Sequence, residues 1–189
     1  MEVLTGLGLA VPAGLNAYIP LLAVAIAEAA GWIELPQPYT LIGEWWSIAL
    51  IAVLLVIELF VDKVPGVDHV NDIIQTVIRP AAGGLVMAAT MSKSGLNPVI
   101  WVVAGIVVAG GVHVAKAASR PVVNMSTGGV GAPVVSFIED VVATVTTVLA
   151  FVAPYLVVIA IAGIAFMLWR LWVRRRNALA PRADGAIAA

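Results

Sequence analysis

Residues 58–79 set Glu58, Asp62, Lys63, Asp68, His69, Asp72 and Arg79 between two long apolar runs. Ionisable groups at or just inside a hydrocarbon boundary are expensive, so the fold must bring them partners, water or a ligand. The flanking runs identify the solvent. Hydrophobic residues make up 62% of the 189 and charged residues 11%, with a mean hydropathy of +1.06; this is the composition of chains that cross a bilayer several times. The expected fold is all-α, a polytopic membrane helical bundle of about six elements. Residues 1–176 form a single transmembrane domain in this reading, and 177–189, rich in Ala and Pro, a disordered cytoplasmic tail.

The first apolar run, about residues 3–30, is long enough to cross, but Pro12, Gly14 and Pro20 interrupt it around Asn16 and Tyr18. A broken or kinked helix is expected there. Residues 31–46 carry Glu34, Glu44, no base and the Trp45–Trp46 pair, and read as an interfacial loop. A second span runs from about Trp46 to Val61, with Glu58 and Asp62 on one face at i and i+4. Beyond Pro65 and Gly66, the residues Asp68, Asp72, Gln75, Thr76 and Arg79 line one side of an amphipathic helix, and Ile73, Ile74 and Val77 the other. Pro80, Gly83 and Gly84 make this third element a kinked span or a re-entrant segment.

A fourth span, about residues 99–118, puts Ala109, His113, Lys116 and Arg120 on one stripe, and 121–132 read as a loop. The fifth opens near Pro133 and carries Ser136, Asp140, Thr144 and Thr147 along one face, with Glu139 beside it. The sixth follows Pro154 and stops at Arg174, Arg175 and Arg176. Spans two and three, and spans four and five, read as two charged-corner hairpins with broken or re-entrant helices, a candidate internal repeat. Six crossings put both termini on one side. The three terminal arginines, with Lys63, Lys116 and Arg120, assign that side to the cytoplasm of a plasma or inner membrane. The first run lacks the basic flank of a signal peptide, so it is read as retained and the mature chain as beginning near Met1.

Several chemistries are excluded or left without a pattern. The chain has no cysteine, which removes disulfides, thiolate catalysis and cysteine metal sites. A net charge of −1 gives no basis for nucleic acid as a partner. Asp68, His69, Asp72, His113 and Glu139 offer ligand atoms, but in no HExxH or paired-histidine spacing, so neither a metal nor another cofactor is expected. Ser126 or Ser136 with His113 lacks a GxSxG elbow, which argues against an enzyme. Residues 127–131, Thr-Gly-Gly-Val-Gly, lack the P-loop pattern and precede Glu139 and Asp140, whose charge would repel phosphate.

Five segments in fixed order carry a family likeness: Gly14-Leu15-Asn16-Ala17-Tyr18-Ile19-Pro20, Asp62-Lys63-Val64-Pro65-Gly66-Val67-Asp68, Gln75-Thr76-Val77-Ile78-Arg79-Pro80, Lys116-Ala117-Ala118-Ser119-Arg120-Pro121 and Ser136-Phe137-Ile138-Glu139-Asp140. Over nearly its whole length the chain resembles the DUF4126 family of uncharacterised small integral membrane proteins. The resemblance implies a membrane location and gives weight to those segments. It brings no activity, ligand or cofactor with it.

The functional reading therefore rests on chemistry. Asn16, Glu58, Asp62, Asp72, Arg79, His113, Lys116, Arg120, Glu139 and Asp140 are the ligand or ion-pathway candidates, in the cytoplasmic half of the bundle. The leading expectation is a transporter or permease in the lipid bilayer, alone or as an oligomer, with a site for a small ion, a proton or a lipid head group. The alternative is a structural or partner-binding membrane subunit whose charges pair off and fix helix register. A membrane-embedded enzyme ranks third. If the two hairpins pack face to face, Arg79 meets Glu139 or Asp140, and Lys116 or Arg120 meets Glu58, Asp62 or Asp72. Six acids (Glu58, Asp62, Asp68, Asp72, Glu139, Asp140) against four bases (Lys63, Arg79, Lys116, Arg120) leave two carboxylates over, which favours a cation or proton over a bare anion.

Overall fold

A computed structural model describes residues 2–61, 67–128 and 130–179. The described residues form seven α-helices: α1 (Glu2–Leu15), α2 (Tyr18–Ala29), α3 (Trp45–Val61), α4 (Val67–Met91), α5 (Pro98–Thr127), α6 (Gly131–Val152) and α7 (Pro154–Leu179), with one 3-10 turn at Tyr39–Gly43. No strand occurs among the described residues. Among the described residues, three stretches are long and apolar enough to cross a membrane: Ile73–Met91 of α4, all of α5 and all of α6.

The first apolar run is a hairpin and not a single span. The Asn16 side chain turns back on its own backbone, and its Oδ1 accepts the N–H groups of Tyr18 at 3.1 Å and Ile19 at 3.3 Å. Those are two of the orphan donors of α2, so Asn16 starts a new helix instead of extending the old one. The packing gives the directions. Gly6 of α1 lies against Met87, Thr90 and Met91 at the end of α4, whereas the Leu15 carbonyl receives Lys116 of α5. Glu34, just beyond α2, pairs with Lys93, just beyond α4.

Both arms therefore open at the Lys93 end and meet at Asn16 in the interior. At 1.5 Å per residue, arms of 14 and 12 residues reach about 21 and 18 Å, short of a hydrocarbon core of about 30 Å. The expectation that residues 3–30 cross once is corrected. The start of α1 lies at the Lys93 end of the bundle, opposite Lys116 and Arg120.

The centre of the bundle is α1 packed on the antiparallel pair α4 and α5. Pro80 faces Gly110, and Gly83 faces Gly105 and Ala109, so the two backbones nearly touch. A Cβ on Gly83 would come within 2.8 Å of the Gly105 carbonyl oxygen, which only glycine at this crossing avoids. Gly14 lets α1 approach α5 in the same way, 2.6 Å separating an added Cβ from Val112 Cβ. Leu9, Ala10 and Ala13 of α1 and Val86, Met87 and Met91 of α4 are buried between them. The tightest helix pair thus joins the two expected hairpins. The corner residues 62–66 of the candidate repeat lie outside the described residues.

Two helices carry an internal proline without a break. The helix α4 is continuous through Pro80, Gly83 and Gly84. Pro80 removes only the hydrogen bond to the Thr76 carbonyl. Likewise α5 continues through Pro121 to Thr127, so most of the loop expected at 121–132 is helix. The Ser126 and Thr127 hydroxyls both donate to the Val123 carbonyl, and Gly128 at φ +60° ends the helix. Thr127 Oγ1 then accepts the Gly131 N–H at 3.0 Å and opens α6. One of the N–H groups of the glycine-rich turn is thereby taken, in keeping with a plain connection. The tail expected beyond 176 continues as helix to Leu179; residues 180–189 lie outside the described set.

Candidate functional site: polar groups around the hairpin tip

The polar stripes read from the sequence converge on the α1–α2 tip. From α4 come Gln75 and Arg79, one turn apart and both buried. Glu58 descends from α3, His113 and Lys116 from α5, and Ser136 and Asp140 from α6; all five are buried as well. Only paired or hydrogen-bonded groups of this kind persist in a low-dielectric interior.

Arg79 is the hub, with no accessible surface. Its Nη2 donates to Glu58 Oε1 at 2.9 Å, an ion pair in which both side chains are 1% exposed or less. Its Nη1 lies 3.2 Å from His113 Nδ1, and His113 Nε2 lies 3.2 Å from Thr76 Oγ1. A guanidinium has no lone pair to offer, so Nδ1 is the acceptor and the imidazole is neutral with its proton on Nε2. The Thr76 hydroxyl therefore faces an N–H and not a base. This removes the arrangement in which His113 would activate that hydroxyl as a nucleophile.

The hairpin tip is tied in at three points. Asn16 Nδ2 donates to Asp140 Oδ1 at 3.1 Å, both residues being buried. Lys116 Nζ donates to the Leu15 carbonyl at 3.1 Å, placing a cation at the negative C-terminal end of α1. The same ammonium lies 2.9 Å from Glu139 Oε2; that oxygen makes no directed hydrogen bond, so the contact is an ion pair of charge and proximity. The Tyr18 phenol lies against the Gln75 side chain, within the field of Glu58 and Arg79. Gln75 Oε1 itself is buried with no hydrogen-bond partner.

Seven of the ten sequence candidates, Asn16, Glu58, Arg79, His113, Lys116, Glu139 and Asp140, meet around this tip. Arg120 is half-buried one turn beyond Lys116. Asp62 lies outside the described residues, as does the side chain of Asp72. The expected pairing of Arg79 with Glu139 or Asp140 is corrected, since Arg79 takes Glu58 and Lys116 takes Glu139. The reason is the α4–α5 contact, which puts Arg79 beside His113 and leaves Lys116 toward α6. The expected approach of Arg120 to Asp62 or Asp72 falls on side chains outside the described residues. Gln75, Thr76, Tyr18 and the Leu15 carbonyl also belong to the site. Gln75 and Thr76 sat on the polar stripe of α4, but the Leu15 carbonyl had no side-chain signal to betray it. Among the described residues no three His, Cys, Asp or Glu side chains group as metal ligands.

Fold and site define a class: an all-helical bundle with apolar helices long enough to span a membrane and a buried polar cluster around an interrupted first helix. The chain belongs to the family named Domain of unknown function (DUF4126), whose model matches residues 3–174. No curated protein and no solved structure matches it.

Proposed function

We propose that the chain is an integral membrane protein that acts as a small permease, with the α1–α2 hairpin as a re-entrant element in a polar pathway for a proton or small cation. The observation that carries the reading is the position of the tip. Non-helical backbone at membrane depth is tolerated where protein or a cavity surrounds it, and transporters place ligand sites at such breaks. Here the break meets Asp140, Lys116, Tyr18 and Gln75 at one level. The unpartnered Gln75 Oε1 supplies an acceptor for a cation or its water. By the positive-inside bias, Lys116, Arg120 and the Arg174–Arg176 cluster face the cytoplasm, and the hairpin opens to the opposite side.

The test is flux across proteoliposomes of the purified chain under imposed proton and alkali-cation gradients. Flux above that of protein-free vesicles, slowed by Gln75→Leu, is the expected result. No flux for any of these ions overturns the permease reading.

One observation favours the alternative of a structural or partner-binding subunit: Arg79–Glu58 and Lys116–Glu139 neutralise one another within the bundle. Ion pairs of that kind fix helix register without conducting anything. Stoichiometric co-purification of one partner from native membranes, together with flux-silent proteoliposomes, decides for the subunit.

A further inference from the structure

We propose that the C-terminal part of α7 binds the phosphate head group of an anionic phospholipid between Arg170 and Arg174. The two arginines stand one helical turn apart on one face, and both are exposed. With Phe166, Met167 and Leu171 they border an open hollow of about 230 Å³. No acidic side chain borders it among the described residues, and the sequence has none between Asp140 and Asp184. The Arg170 guanidinium lies over the Phe166 ring, 5.8 Å from its centroid. That contact steadies the group while its N–H donors, which lie in its own plane, stay available to an anion.

Cations elsewhere in the bundle are already neutralised. Arg79 pairs with Glu58, Lys93 with Glu34 and Lys116 with Glu139. Among the described residues Arg170 and Arg174 make no ion pair with a carboxylate. Like charges one turn apart on a helix repel each other. A phosphate held between them relieves that repulsion through charge-assisted hydrogen bonds, which the planar guanidinium is shaped to give.

The surroundings favour a lipid over a soluble anion. Residues 154–169 carry no charged side chain, so Arg170 is the first charge met along α7, where a helix leaving hydrocarbon reaches the head groups. Trp169 and Trp172, 58% and 57% exposed, flank the arginines, and indoles settle at that same depth. Phe166 and Met167 lie about one turn nearer the apolar run and offer their exposed surface to an acyl chain. A soluble phosphate would use the guanidiniums and leave that surface uncovered. The inference rests on the membrane location in the permease reading and not on transport. Binding can be present where flux is absent.

The full chain in phosphatidylcholine nanodiscs is photolabelled with a small fraction of phosphatidylglycerol that carries a diazirine near the head of one acyl chain, and the adducts are mapped by mass spectrometry. Adducts are expected on residues 166–174, displaced by unlabelled phosphatidylglycerol and not by added phosphatidylcholine or inorganic phosphate. Arg170→Gln with Arg174→Gln should cut this labelling about tenfold or more, at roughly fivefold for each arginine near the surface. Both side chains are exposed, so the double variant should melt as wild type does. Lys93→Gln, which removes an exposed cation elsewhere, should leave labelling unchanged. Labelling spread evenly over all lipid-facing helices, displaced as readily by phosphatidylcholine or inorganic phosphate, or indifferent to the double substitution overturns the proposal. So does labelling that Lys93→Gln lowers as much as the double variant does, since net charge would then suffice. Specific labelling in flux-silent vesicles upholds this site and overturns only the permease reading.

Discussion

Two Lys/Arg–Glu pairs stand at different levels of the molecule and behave as different objects. Arg79–Glu58 spans 2.9 Å with side chains 0% and 1% exposed, while Lys93–Glu34 spans 3.3 Å with side chains 51% and 87% exposed. The distances are nearly alike. What separates the pairs is the alternative open to each charge when its partner is lost. Glu34 turns to water, whereas Glu58 is left charged among apolar helices or must take up a proton. Around the buried pair the chain has added His113 and Thr76; around the exposed pair it has added nothing comparable. Separation therefore says little about either pair, and burial says most of what matters.

The largest effect should follow from breaking the buried pair on one side. Arg79→Ala strands Glu58 and removes the donor that fixes the His113 ring, and the expected loss is about 3–5 kcal/mol, the usual cost of leaving one buried charge uncompensated. Thermal melting of the purified protein in detergent measures it. The comparison sharpens when both charges go together. Glu58→Leu with Arg79→Met should recover most of that stability, because a buried pair replaced by apolar groups of similar volume is often neutral or better. If the permease reading holds, the same double variant stays silent in flux assays although it melts normally. A double variant as unstable as Arg79→Ala would mean that the pair holds the bundle together on its own account.

The next largest effect concerns the tip that the buried pair supports. Asn16→Ala removes the side chain that accepts the Tyr18 and Ile19 N–H groups, worth about 0.5–2 kcal/mol at a helix start. It also takes the Nδ2 donor from Asp140 Oδ1, which adds about 1–3 kcal/mol for a buried acceptor that loses its partner. The variant should melt below wild type and above Arg79→Ala. Asn16→Asp is the finer probe. It keeps the acceptor toward the α2 backbone but sets a carboxyl against Asp140, so most of its destabilisation, read by melting above and below the carboxylate range, should vanish at acid pH. An Asn16→Asp protein equally unstable at both pH values would place the defect in packing and not in charge.

The residues that were legible beforehand share a physical reason. Charges inside apolar runs stand out because hydrocarbon tolerates few of them, and helical spacing then put Gln75 with Arg79 and His113 with Lys116 on common faces. The all-helical fold followed from the same runs. Direction was not legible. Pro12, Gly14, Asn16 and Pro20 announced a break, yet a kinked crossing and a hairpin have the same local sequence, and only the long-range contacts of Gly6 with Met91 and Leu15 with Lys116 separate them. Pairing across helices failed for a related reason. It was set by the close approach of Gly83 to Gly105, and a glycine pair many residues apart carries no mark of which helices it will join. Pro121 was overread as a stop, since it removes one hydrogen bond from a helix that tertiary contacts hold in place.

The smallest effect is expected from the exposed pair, and it is the control that gives the others meaning. Lys93→Ala should change stability by less than about 1 kcal/mol, the usual range for a surface pair that pays rotamer entropy and is screened by salt. Glu34 keeps its hydration, and Glu28 continues to hold the loop after α2 by accepting the Leu35 N–H at 2.8 Å, independently of Lys93. Melting at low and high salt distinguishes the cases: the small Lys93→Ala shift should shrink with salt, whereas the Arg79→Ala shift should persist, because mobile ions cannot reach Glu58. A Lys93→Ala loss as large as that of Arg79→Ala would show that the open end of the hairpin, where Thr5, Glu34 and Lys93 border one pocket, is closed by this contact and is as sensitive as its tip.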